Sequence, residues 1–108
     1  MASTYKVLGQ SNPSATNLTT LYTVPGATSS VASTLSICNQ GASTTFRVAV
    51  RPAGASIVAA HYLVFDATLN ANDSTFMTIG MTLAATDVVS VYAGTSTVSF
   101  SLFGSELT

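Results

Sequence analysis

Charge is the scarcest feature of this 108-residue sequence. Asp, Glu, Lys and Arg together make up 6% of the chain, and the net charge is −1, whereas charged residues supply about a quarter of an ordinary globular domain. The three basic residues are Lys6, Arg47 and Arg51, too few to neutralise a phosphate backbone, so nucleic-acid binding is excluded. Charged surface residues usually keep soluble monomers apart. Their shortage predicts that much of the surface lies against neighbouring chains.

Cysteine, tryptophan and long apolar runs are also scarce or missing. The single cysteine, Cys38, excludes an intrachain disulfide and any zinc site built from several cysteines. We expect it to be a small buried apolar residue. The sequence does not contain a run of about 18 apolar residues, so a membrane span is not predicted, and the first residues do not have the pattern of a signal peptide. We therefore expect the chain to fold in a cytoplasm.

Small and hydroxyl-bearing residues dominate what is present. Ala, Ser and Thr supply 47 of 108 residues, and Thr alone supplies 17. This composition favours β structure with neutral outer faces over long helices. The length suits a single domain with a core of its own.

The stretch from 18 to 52 organises the chain, because three alternating runs follow one another there with turn residues between them. Turn signals every 8 to 14 residues continue to the end of the sequence. The predicted strands cover 18–24, 30–38, 45–51, 61–66, 74–81, 88–93 and 97–103, with a further short one at 4–9. About eight short strands predict an all-β fold, a single antiparallel β-sandwich of jelly-roll type. The alternative, an immunoglobulin-like sandwich, lacks its hallmark here because Trp and a Cys pair are absent.

The first 17 residues are rich in turn formers and predict a flexible N-terminal arm, with the sandwich domain covering 18–108. Tyr5, Val7 and Leu8 are the candidate anchors of this arm. We expect them to order by lying on a neighbouring chain, for example by adding a strand to an exposed sheet edge.

Side-chain alternation assigns faces to the two central strands. In the run 30–38, the interpretation places the odd-numbered residues in the core and the even-numbered ones outside. The predicted core residues of this run are Val31, Ser33, Leu35 and Ile37.

In the run 45–51, the core residues are Phe46, Val48 and Val50, so Arg47 and Arg51 project together from the opposite face, roughly 13 Å apart. Two readings stay open for these arginines. They lie on a solvated face and oppose edge pairing, or they bind carboxylates and carbonyls of a neighbouring subunit.

The sequence offers no convincing catalytic or metal-binding arrangement. A triad of His61, an aspartate and a serine lacks a nucleophile on a strained turn, because no G-x-S-x-G occurs. A pair of Cys38 as nucleophile and His61 as base is also not supported, because Cys38 lies in an apolar run without a neighbouring group that would activate its thiol. The aspartates Asp66, Asp73 and Asp87 do not have the spacing of a calcium loop. We expect no enzyme activity, no cofactor, no metal and no small-molecule substrate.

Four tyrosines offer a further alternative, a sugar-binding platform. They are Tyr5, Tyr22, Tyr62 and Tyr92. Carbohydrate-binding modules usually expose Trp, which this chain lacks, and scattered tyrosines are more often half-buried packing residues. A carbohydrate-binding adhesin-like module is therefore the less favoured hypothesis.

Several segments carry a resemblance that covers residues 18 to 106. They are LYTVPG, SSVASTLSICNQGASTTFRVAVRPAG, HYLVFD, LAATDVVSVYA and VSFSLFGSE. In these segments the chain resembles a group of small virion structural proteins of tailed bacteriophages, notably of cyanophages. The resemblance implies a β-sandwich subunit that decorates or cements a capsid, or that occurs in a tail or baseplate. It implies a structural role and no reaction.

The resulting hypothesis is a non-enzymatic virion protein, assembled in the host cytoplasm, that binds and stabilises the head shell as a decoration or cement subunit. Its expected partners are copies of itself, as a homotrimer or else a dimer, and the major capsid protein or other virion proteins. Nucleic acid and membrane are not expected partners. A tail or baseplate component is the alternative structural role.

Overall fold

The computed structural model describes residues 2–108, and these residues form eight β-strands. The strands are β1 (Ser3–Ser11), β2 (Thr19–Thr23), β3 (Ser29–Asn39), β4 (Thr44–Arg51), β5 (Tyr62–Leu69), β6 (Ser74–Leu83), β7 (Val88–Ala93) and β8 (Val98–Leu107). Between β4 and β5, two single 3₁₀ turns occur at Pro52–Gly54 and Ala59–His61. Over residues 2–108, no helix has the length and apolar character that a membrane crossing requires.

The strands form two antiparallel sheets of four strands each. The first sheet has the order β1-β8-β3-β6, and the second sheet has the order β2-β7-β4-β5. The chain therefore pairs as a long folded ribbon, first strand with last, second with seventh, third with sixth and fourth with fifth. Wrapping that ribbon into two facing sheets gives the jelly roll. The predicted β-sandwich of about eight short strands is confirmed.

The predicted N-terminal arm is wrong for residues 3–11, while Met1 lies outside the described residues. Strand β1 pairs with β8 along its whole length, from Ser3 opposite Leu107 to Ser11 opposite Phe100. Leu8 is buried in the core. The turn-forming composition of residues 11–17 suggested an arm, but it marks only the connection from β1 to β2.

The predicted face of β3 is half right. Leu35 and Ile37 are fully buried as expected, but Val31 and Ser33 face outward, and Ala32 is buried instead. A β-bulge between Ala32 and Thr34 inserts one extra residue relative to β8. Such a bulge reverses the alternation of side chains on either side of it.

The predicted face of β4 agrees better with the structure. Phe46 and Val48 are buried, and Val50 packs against the core while remaining partly exposed. Cys38, expected to be a buried thiol, is half-buried.

A buried amide fixes the loops at one end of the sandwich. The side-chain amide of Asn39 donates to the carbonyl oxygens of Ala42 (2.8 Å) and Asn70 (3.1 Å). Its oxygen accepts from the Gly41 N–H (3.1 Å) and the Thr97 hydroxyl (2.9 Å). Asn39 thereby holds three connecting segments together with satisfied hydrogen bonds, as a buried polar group requires.

A second polar network joins the two sheets near the edge where β1 and β2 lie against each other. The Tyr22 hydroxyl donates to the Glu106 carboxylate (2.5 Å) and accepts from the Ser30 hydroxyl (2.6 Å). Lys6 lies 3.3 Å from the other oxygen of Glu106. Burial and the bond to Glu106 raise the pKa of Tyr22 to about 12, whereas the bonds from Tyr22 and then Lys6 lower the pKa of Glu106.

Two substitutions in β1 test whether this strand belongs to the core. Leu8→Ala should lower the free energy of unfolding by about 3 kcal/mol, because a buried leucine leaves a cavity. Tyr5→Ala is the matched control, since Tyr5 is 85% exposed on the same strand, and it should change stability by less than about 0.5 kcal/mol. Denaturant unfolding measures both. Equal small effects would mean that β1 is a detachable arm.

The Tyr22 network predicts a loss of stability at alkaline pH. Between pH 10 and about 12 the unfolded chain releases the Tyr22 proton while the folded chain keeps it. The free energy of unfolding should therefore fall across this range, by up to about 3 kcal/mol for two pKa units.

Tyr22→Phe is the reference protein for this measurement because it lacks the titrating hydroxyl. The difference between the ultraviolet titrations of the two proteins isolates Tyr22. A midpoint near pH 12 is expected, and a midpoint near pH 10 would contradict the buried network.

Candidate interaction surface

The outer face of the first sheet carries five of the nine large apolar side chains that are exposed in residues 2–108. They are Tyr5, Val7, Val31, Phe76 and Phe103, and we call this set the apolar face. Strand pairing places them on one side of the sheet, since Tyr5 and Val31 both lie opposite Ser105 while Val7 lies opposite Phe103. Phe76 on β6 is 70% exposed. The apolar face therefore holds more than half of the exposed large apolar side chains of the described chain.

A groove lies on the apolar face, next to a row of β-bulges that bend the first sheet. Bulges occur at neighbouring positions in three strands, at Leu8 in β1, at Ser33 in β3 and at Ile79–Gly80 in β6. The resulting groove has a volume of about 480 Å³ and is lined mainly by Tyr5, Val7, Val31 and Phe103. Side chains of β1, β3 and β8 thus converge on one concave apolar site.

Gly104 lines the groove, and steric crowding explains why this position is a glycine. A Cβ at this position would overlap the carbonyl oxygen of Val31 on the neighbouring strand. Only glycine allows β3 and β8 to approach so closely at the bend. Gly104 therefore matters for the shape of the groove because it has no side chain.

No charged side chain lies within the apolar face, although the structure covers all seven charged residues of the sequence. Lys6 is among the residues that line the groove, but its ammonium group is paired with Glu106 at 3.3 Å. The other charged residues lie on the second sheet or in turns. Burying this face against another protein would therefore require no unpaired charge to lose its water.

Arg47 lies on the outer face of the second sheet, as predicted, but its partners come from its own chain. Its Nε lies 2.6 Å and its terminal nitrogen 3.2 Å from the two carboxylate oxygens of Asp66. The guanidinium also lies between the rings of Phe65 and Tyr92, about 4 Å from each centroid. The bond to Asp66 raises the pKa of Arg47, and the same bond lowers the pKa of Asp66.

Arg51 is likewise bound within the chain. Its Nε donates to the Ser90 hydroxyl (3.1 Å), and another guanidinium nitrogen donates to the carbonyl of Ala55 (3.0 Å). The outward direction of both arginines agrees with the sequence-based assignment. Contact of either arginine with a neighbouring subunit stays a prediction, and any such contact has to share or replace these internal bonds.

The three predicted anchors of the N-terminal segment have separate positions. Tyr5 and Val7 are exposed on the apolar face, whereas Leu8 points into the core and is not available to a partner. Sequence reasoning missed Val31, since the bulge that turns it outward has no local signal. Phe76 and Phe103 have a local signal, because alternation puts Phe76 on the face opposite Met77 and Ile79, and Phe103 on the face opposite Phe100 and Leu102.

The four tyrosines do not form one platform. Tyr22 is buried between the sheets, Tyr5 is on the first sheet, and Tyr62 and Tyr92 flank Arg47 on the second sheet. A second groove of about 550 Å³ lies near Tyr62 and Phe65, with Ile57, Val58 and Ala59 on its other side.

The histidine and one of the aspartates considered for catalysis or metal binding form hydrogen bonds with backbone N–H groups of nearby loops. His61 Nδ1 accepts the backbone N–H of Val58 (3.3 Å). Asp87 accepts the N–H groups of Ala53 and Ala84, both at 2.9 Å. Within residues 2–108, no three His, Cys, Asp or Glu side chains gather into a group that could hold a metal ion.

No protein-family model, curated protein or solved structure matches this chain. The fold and the apolar face are therefore the basis for a functional assignment.

Proposed function

We propose that this chain is a non-enzymatic structural protein of a tailed-bacteriophage virion. Its proposed role is that of a decoration or cement subunit, which binds the major capsid protein of the head shell and stabilises it. The subunit attaches through the apolar face, assembles in the host cytoplasm and remains part of the virion.

The uncharged apolar face is the observation that carries this proposal. Monomeric soluble proteins seldom expose large contiguous apolar patches, and those that do use them for binding. The centres of protein interfaces are enriched in aromatic residues and depleted of charge. Tyr5, Phe76 and Phe103, on a face without charged side chains, have this composition.

The fold and the sequence resemblance support the virion setting. Jelly rolls are common in viral capsid and lectin domains, although a fold alone does not specify a function. The resemblance to small virion proteins of tailed phages favours the first of these two settings. Arg47 and Arg51 are bonded within the chain, which favours the apolar face over these two arginines as the surface for a partner.

Two alternative roles have specific tests. A tail or baseplate component would use the same face but occur in tens of copies or fewer per particle, whereas a decoration protein occurs in hundreds. A carbohydrate-binding module is favoured only by the apolar groove beside Tyr62 and Phe65. A glycan array that binds the wild-type protein, with binding lost in Tyr62→Ala, would support the carbohydrate-binding role and contradict ours.

Substitutions on the apolar face test the attachment. Tyr5→Ser and Phe103→Ser should each reduce the affinity for particles that lack the chain by about 30-fold, since central aromatic side chains in an interface contribute 2 kcal/mol or more. Binding is measured by adding purified variants to such particles and quantifying the bound protein.

Leu63→Ser is the matched control, because Leu63 is 52% exposed but lies on the second sheet. It should bind like the wild type, and melting temperatures of the isolated variants verify that each protein is folded. Full binding by both apolar-face variants would contradict the proposal, as would absence of the wild-type chain from purified particles.

A further inference from the structure

Strand β6 has a free edge that is open to another strand. It ends the first sheet and pairs only with β3. Its first five residues, Ser74–Thr78, contain no charge and no proline. Natural edge strands are usually protected by charges, prolines, bulges or covering segments, because an open edge offers unpaired N–H and C=O groups to another chain.

The other three sheet edges are protected in this chain. β1 and β2 lie against each other, so closely that a Cβ at Gly9 would overlap the carbonyl oxygen of Leu21. β5 carries Asp66 at a positive φ of 52° and has irregular register with β4. Of the edges in the described structure, β6 alone offers a regular uncharged segment.

The regular part of β6 sets the length of any added ladder. From Ser74 to Thr78 the register with β3 is continuous, whereas the next pair is Met81 with Ala32. The intervening Ile79 and Gly80 form a bulge, with Gly80 at a φ of 53°. A regular ladder on the free edge therefore covers up to five residues with Phe76 at its centre, and the Ser74 N–H has to exchange its bond to the Asp73 carboxylate for one to the added strand.

We propose that β6 pairs with β6 of a second copy of this chain, antiparallel and about a two-fold axis at Phe76. In this arrangement Phe76 lies opposite Phe76 of the second copy, and Ser74 lies opposite Thr78. The two first sheets become one eight-stranded sheet. The proposal concerns self-association and does not depend on the proposed virion role.

The side chains at this edge suit such pairing. Phe76 is 70% exposed, and aromatic pairs directly across antiparallel strands stabilise a sheet. The nearest charged residue along the chain is Asp73, immediately before the strand, and its carboxylate accepts the backbone N–H of Ser74 (2.8 Å). In the paired arrangement the two copies of Asp73 are six residues apart along the ladder, about 20 Å, so they do not repel each other strongly.

A single free edge also determines the symmetry. Pairing of one edge with itself is isologous and closes as a dimer, whereas a ring trimer needs two different edges on each copy. The edge therefore favours the dimer over the homotrimer that the sequence suggested.

Sedimentation or light scattering at high micromolar concentration tests the proposal. The wild type should have twice the 11.0 kDa chain mass. Phe76→Lys should raise the dimer dissociation constant at least about tenfold, because it places like charges opposite each other at the axis. Phe76→Glu should do the same, and a mixture of the two variants should restore a heterodimer. Both variants should fold, since Phe76 is exposed, and circular dichroism verifies this.

Ser101→Lys is the control, because Ser101 lies on the same outer face but on the inner strand β8, opposite Ser36. It should remain dimeric, which distinguishes edge pairing from packing of two faces. In a Cys38→Ser background, Phe76→Cys should also form a disulfide-linked dimer on oxidation, and Thr82→Cys should not.

Four results would overturn the proposal. They are a monomeric wild type, a trimer, a dimer that tolerates Phe76→Lys, and a mixture of the lysine and glutamate variants that stays monomeric.

Discussion

The bend across the first sheet is the constraint on which the rest of the structure depends. At Leu8 in β1 and at Ser33 in β3, an extra residue reverses which side chains face the core. Leu8 and Ala32 thereby enter the core, while Tyr5, Val7 and Val31 turn outward. Tyr5, Val7 and Val31 line the groove together with Phe103. Bulges are often found where a strand has to re-aim a side chain for function.

The distribution of charge complements this geometry. The few charged side chains are used mainly within the chain: Glu106 with Tyr22 and Lys6 between the sheets, and Arg47 with Asp66 on the second sheet. Such internal pairing leaves the first sheet neutral on its outer side. A neutral apolar face is suited to permanent contact with a protein surface, and it agrees with the proposed structural role.

The sequence predicted the class of fold and most strands, because alternation and turn residues are local signals. It did not predict the reversal in β3, since Ala32, Ser33 and Thr34 are small residues that suit either face. The pairing of β1 could not be read either, because its partner β8 lies about 95 residues further along the chain. The bond between Arg47 and Asp66 joins two strands, and Asp66 has a positive φ of 52° that alternation does not predict. Long-range pairing and bulges thus have no local signal in the sequence, whereas the outward direction of Arg47 and Arg51 was predicted from alternation.

Hydroxyl-radical footprinting of assembled particles would test the central claim, that the outer face of the first sheet is the contact surface. Oxidation is compared residue by residue between the isolated protein and the particle-bound protein. We expect strong protection of Tyr5 and Phe103 on the particle, with Phe65 on the second sheet oxidised equally in both states. Protection of Phe65, with Tyr5 and Phe103 unchanged, would contradict it.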